Sequence, residues 1–184
     1  MVKKGGPVVK TAAPERTHGV GGIGCCCIRC CTCVHVEFLK TLPGMIKVLE
    51  ALVNFIIQGL LVNYGLKYHA QIGSAFEGAL TTSAACFLNS GVLLLCYIFS
   101  EKSYKLVQSS YFELMFNSIA CFFCMSSASC LGFSTKMFLW PLYAITPGFD
   151  VYPAMTAAYY LSGFAGILYA ADTYFAFRRY KGYA

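Results

Sequence analysis

The sequence predicts an all-α membrane protein, a bundle of four transmembrane helices with both termini in the cytoplasm. Three observations predict it. The 184 residues are 58% hydrophobic and only 12% charged, against roughly 45–50% and about 25% in soluble domains, so there are too few charges to cover a water-facing surface. Four apolar stretches each reach the roughly 20 residues a helix needs to cross a hydrocarbon core. Twelve of the fourteen Lys and Arg residues fall on one side of those stretches, the bias that marks a cytoplasmic face.

Residues 1–35 are basic, contain Gly and Pro, and hold no apolar core. They read as a disordered cytoplasmic tail. No cleavable signal peptide is expected there, so the first helix acts as its own insertion signal. Val2 stands where N-myristoylation needs Gly. The membrane domain is expected over 36–180, with helices at about 45–66, 75–99, 112–133 and 154–177, and 181–184 as a short cytoplasmic tail. The runs are continuous rather than alternating, which argues against β-barrel strands. Lys67 and Lys136 alone mark the outer side. The second outer connection, Ser134–Pro153, carries Trp140, Tyr143, Phe149 and Tyr152 among prolines, a composition suited to a loop on the interface. The net charge of +6 implies attraction to anionic inner-leaflet lipid. Its scattered basic residues make nucleic acid a poor partner.

Six of the eleven cysteines, Cys25, Cys26, Cys27, Cys30, Cys31 and Cys33, crowd the tail just before the first helix. Clustered juxtamembrane thiols are the usual setting for S-palmitoylation, which makes these six the lipidation candidates. Unmodified thiols remain a second account. A zinc site at Cys27, Cys30 and Cys33 is a third, although the second half of a usual four-ligand set is missing. No metal or cofactor is expected. Cys121 and Cys124 form an intramembrane Cys-x-x-Cys, as quinone-linked thiol oxidoreductases use. The shuttle cysteines those enzymes need in an outer loop are absent, as are the loop disulfides of claudin-like and tetraspanin-like folds.

Polar residues inside the helices need their own account, because a carboxylate at a helix centre costs about 2.5–3.5 kcal/mol. Glu50, Asn54 and Gln58 recur every four residues on helix one, Glu113 and Asn117 do so on helix three, and Asp172 lies near the inner end of helix four. They read as an intramembrane polar network that fixes the bundle through hydrogen bonds and salt bridges, the three acids within snorkelling reach of Lys47, Lys102, Lys105, Arg178 or Arg179, with a proton or ion path as the alternative. Small residues recur at the same spacing: Gly78, Thr82, Cys86 and Ser90 on helix two, and Ala158, Ser162, Gly166 and Ala170 on helix four. Small-x-x-x-small spacing lets helices approach closely, within the bundle or against another copy or a partner membrane protein. No nucleophile–His–acid constellation or phosphate loop is present, so no enzyme is expected.

The stretch Leu42-Pro43-Gly44-Met45-Ile46-Lys47-Val48-Leu49-Glu50 resembles the opening of MARVEL domains, where Pro-Gly precedes a basic first helix. Gly163 to Arg179, with Tyr169 and Asp172 before an aromatic and basic end, resembles the family's last helix. The resemblance spans roughly 36–180 and implies a non-enzymatic multi-pass protein of plasma or vesicle membranes. It implies roles in vesicle trafficking, membrane apposition or myoblast fusion. A small ion or proton transporter using the inner carboxylates is the alternative reading, and an intramembrane thiol oxidoreductase the third.

Overall fold

The computed structural model describes residues 39–100, 106–107, 111–146 and 148–181. Helix α1 (Leu42–Leu60) opens under Thr41, whose hydroxyl accepts from the Gly44 N–H at 3.4 Å. Pro43 occupies its first turn, where a missing N–H costs nothing. The helix does not stop at Leu60. It continues through a π turn (Leu61–Gly65), a 3-10 turn (Leu66–Tyr68) and a last α turn (His69–Ile72). Gly73 then ends it, at φ +65° with its N–H on the His69 carbonyl at 2.7 Å, a backbone state that side chains with a Cβ rarely adopt. Helix α2 (Ser74–Phe99) follows at once.

Helix α3 (Tyr111–Ser134) also outruns expectation. A π turn at Thr135–Leu139 carries it into a further helical piece, Trp140–Ile145, with Pro141 in that piece's first turn. The expected outer connection Ser134–Pro153 is therefore largely helix, and the irregular part shrinks to the residues around Gly148 (φ +86°). Proline in a first turn is compatible with helix, so the loop composition was misleading here. Helix α4 (Val151–Tyr180) is 30 residues long.

Leu42–Ile72, Ser74–Phe99 and Tyr111–Ile145 are long and apolar enough to cross a membrane. The sequence expectation was four such helices. α4 has the length but not the hydropathy, because it spends its positions on Ala, Gly, Ser, Thr and Tyr. Those residues do packing work instead. α4 packs most closely on α3 and also on α1; α1 packs on α2; and α2 closes the ring on α3 with the slightest contact. Ile57, Leu61, Leu131, Leu139 and Met155 fill the centre.

Polarity in this ring is inverted. Leu52, Phe55, Leu88, Phe122 and Ile167 face outward while Lys47, Glu50, Asn54, Asn117 and Asp172 are sealed inside. Water would disfavour that arrangement twice, whereas a bilayer rewards it, since lipid is an apolar solvent and polar groups must find partners within the protein. At the end remote from the charged cluster, Trp140, Tyr143 and Tyr152 pack ring on ring, with centroids 5.0–6.1 Å apart, the residue types that favour a membrane–water interface.

Candidate functional site

The buried charges converge on Lys47. Its position one turn into α1 turns the side chain inward, and Nζ sits 3.0 Å from Glu50 Oε2, 2.6 Å from Asp172 Oδ2 and 2.8 Å from Asn117 Oδ1. An ammonium has three N–H donors, and here each has an acceptor, one from each of three helices. Asn117 completes the link by donating from Nδ2 to Asp172 Oδ2 at 2.7 Å.

The network extends one turn along α1. Asn54 Nδ2 donates to the Glu50 carbonyl at 2.8 Å and to the Tyr169 hydroxyl at 3.1 Å. Tyr169 lies 2.8 Å from Ser90 Oγ, which reaches Glu50 Oε2 at 3.5 Å. Ser90 thereby brings in α2, so all four helices share one hydrogen-bonded cluster. Lys47 Nζ also lies 5.9 Å from the centre of the Tyr169 ring, within cation–π range. On the outer margin of the cluster, Arg179 Nη2 stands 3.7 Å from Asp172 Oδ1 and 3.9 Å from Glu113 Oε2. Lys47, Glu50, Asn54, Ser90, Asn117, Tyr169 and Asp172 are each at most 1% exposed.

The arrangement is a tie between helices. A buried ion pair gains from further hydrogen bonds to its carboxylates, and Asn117 and Ser90 supply them to Asp172 Oδ2 and Glu50 Oε2, while Glu50 Oε1, Asp172 Oδ1 and Asn54 Oδ1 accept none. Among the described residues no group of His, Cys, Asp and Glu has the arrangement to hold a metal ion.

The profile of the MARVEL family, described as a membrane-associating domain, matches residues 38–175, which contain every residue of the tie except Arg179. The chain belongs to the MARVEL family. It is 44% identical over 161 residues to Protein singles bar of Drosophila melanogaster, covering 88% of this chain and 92% of that one. No solved structure matches it significantly.

Within this MARVEL bundle, five of the six expected network residues come together: Glu50, Asn54, Glu113, Asn117 and Asp172. Gln58 does not; it is only half-buried, outside the cluster. The small-residue faces divide in the same way. Cys86, Ser90, Ala158, Ser162 and Gly166 are buried and Thr82 is half-buried, with Ser162 Oγ donating to the Cys124 carbonyl at 3.1 Å. Gly78 and Ala170 lie exposed, so they pack no helix within the bundle. One reason covers all three exceptions. Four residues advance a helix by about 400°, so a run of i+4 steps drifts by about 40° each time and leaves the core.

Ser90 and Tyr169 are the members that sequence reasoning assigned elsewhere, Ser90 to the small-residue face and Tyr169 to the family resemblance, while Lys47 and Arg179 are two of the five basic residues it puts within reach of the acids. The i, i+3, i+7 spacing of Lys47, Glu50 and Asn54 was the available signal, since it puts all three on one face. Cys124 faces Cys86 rather than Cys121, with the sulfurs 3.9 Å apart, far beyond the roughly 2.05 Å of a disulfide. The lipidation candidates Cys25, Cys26, Cys27, Cys30, Cys31 and Cys33 lie outside the described residues.

Proposed function

We propose that this protein organises membrane apposition without catalysis, in vesicle traffic or in cell–cell fusion of the myoblast type, at plasma or vesicle membranes. The observation that carries the reading is the tie itself. Its central ammonium has no donor left over, and its core members are closed to solvent, which suits a structural joint better than a passage. Similarity to Protein singles bar over most of both chains supports the fusion side of the reading. The direct test is rescue: cells of the protein's own source, depleted of it, should lose fusion or vesicle delivery and regain it with the wild-type chain. Normal fusion and normal delivery after depletion would remove the proposal.

A second reading has one specific observation in its favour. Glu50, Glu113 and Asp172 gather at one end of the bundle beside Lys47 and Arg179, as the acids of a small ion or proton transporter would. An intramembrane thiol oxidoreductase has only the proximity of Cys86 to Cys124 behind it.

The proposal places both termini in the cytoplasm, next to anionic lipid, with the six tail thiols acylated. Association with a second copy or another membrane protein belongs to the same reading. Hydroxylamine-sensitive acyl exchange should label the wild type and lose most of its signal when the six tail cysteines become Ser. Equal labelling of both proteins would exclude acylation there. Terminal tags on the same two proteins should bind antibody only after permeabilisation, and binding in intact cells would reverse the orientation.

A further inference from the structure

The ring is least closed between α2 and α3, and the opening has a defined lining. Near the end remote from the charged cluster, a recess of about 460 Å³ is bordered by Ser74, Gly78 and Thr82 on α2 and by Ser126, Ser127 and Ser134 on α3. A second recess of about 340 Å³ shares Thr81, Thr82 and Phe123 with it and ends on Phe116, Ile119 and Ala120. The two form one groove along α3 from Phe116 to Ser134, about 27 Å at 1.5 Å per residue. Each volume is in the range of small-molecule sites, roughly 300–1,000 Å³. One end carries hydroxyls and the other only hydrocarbon and the Cys86 thiol.

Ser127 sets this groove apart from an ordinary gap between helices. Four hydroxyls on these two helices are spent on their own backbone: Thr81 on Glu77 O at 2.8 Å, Ser83 on Leu80 O at 3.0 Å, Ser118 on Leu114 O at 2.9 Å and Ser129 on Met125 O at 3.0 Å. Ser127 Oγ, on a residue only 8% exposed, has no hydrogen-bond partner. A buried polar atom in this position is costly unless something else supplies the bond.

Charge selects what that can be. No Lys, Arg, Asp or Glu lines either recess, and Ser127 lies seven residues, about 10 Å, along α3 from Ser134. A phosphate brought to that depth would lose its water and gain no cation in return. A helix from a second copy has its own N–H and C=O groups already committed, so it would have to bring a polar side chain to that depth. An extended acyl chain has the reach to run from the hydroxyl end to Phe116.

We propose that the α2–α3 groove binds one uncharged, hydroxyl-bearing lipid of the diacylglycerol type, its free hydroxyl on Ser127 and one chain lying toward Ile119. This site is separate from the fusion reading and stands or falls independently of it. The test uses the full-length protein in phosphatidylcholine vesicles. These are doped either with a diacylglycerol carrying a photoactivatable chain or with phosphatidic acid carrying the same chain, and labelled peptides are read by mass spectrometry.

Nothing lies within 4 Å of a Cβ built at Gly78, so Gly78→Leu fills the groove without striking the core. Diacylglycerol should label the 74–82 and 123–134 segments of the wild type. Ser127→Ala should lower that labelling about fivefold, the loss of one neutral hydrogen bond, and Gly78→Leu should reduce it to the phosphatidic acid level, with both variants melting like the wild type. Three results would overturn the site: equal labelling by the two lipids, which means bulk bilayer contact; Ser127→Ala labelled like the wild type; or the segments cross-linked to a second copy instead. If Gly78→Leu melts early, Ser127→Ala decides alone.

Discussion

Lys47→Met should lower the stability of the detergent-solubilised protein by about 3–5 kcal/mol, the usual cost of removing one partner from a buried ion pair. The reason lies in what it leaves behind. Glu50 Oε2, Asp172 Oδ2 and Asn117 Oδ1 all accept from the same Nζ, so one substitution strands a carboxylate on α1, a carboxylate on α4 and an amide on α3 where no water reaches them. Lys40→Met, at an exposed position just before α1, removes the same charge from the sequence and should change the melting temperature little. Combining Lys47→Met with Asp172→Asn should recover part of the loss, because groups in one network are not additive. If Lys47→Met melts within a degree or two of the wild type, the tie contributes nothing.

The second large effect is expected at Gly166. A Cβ there would lie 2.8 Å from Met125 Sδ and 2.9 Å from Met125 Cγ, closer than van der Waals contact allows. Methionine is flexible enough to yield to a methyl group, so Gly166→Ala should be mild. A leucine asks for more, with the Met125 backbone nitrogen only 3.5 Å away. Gly166→Leu should therefore separate α4 from α3, at about 2–3 kcal/mol for overpacking, and reduce exit from the endoplasmic reticulum. In lipid, close packing rather than hydrophobic burial holds helices together, so prising apart the most closely packed pair of the bundle should cost stability even though Asn117–Asp172 and Ser162–Cys124 also link it. Ile167→Leu, one residue round the helix and 62% exposed, should do much less. Equal stability of the two variants would mean that the α3–α4 contact does not depend on the glycine.

The legible part of this fold is the part that hydropathy and spacing encode locally. Long, largely uncharged runs located all four helices, although α4 falls short in hydropathy, and polar residues spaced by four located part of the tie. What escaped depends on distant parts of the chain. Lys47 is one of five basic residues that the sequence puts within reach of the acids; only Asn117, 70 residues away, and Asp172 on the last helix single it out and turn it inward. Tyr169 is one of many aromatics until Ser90 and Asn54 meet its hydroxyl. The extensions of α1 and α3 escaped because π turns let a helix continue through sequence that reads as loop. Cys124 escaped because its neighbour is on another helix, while Cys121 is the partner its spacing suggests.

The account rests on the tie being structural rather than conductive, and ion flux tests that most directly. Purified protein in sealed liposomes should pass protons and monovalent cations no faster than empty liposomes do, under an imposed gradient and potential. Flux well above that baseline, lost in Glu50→Gln or Glu113→Gln variants that still melt like the wild type, would contradict it and make the acids a pathway.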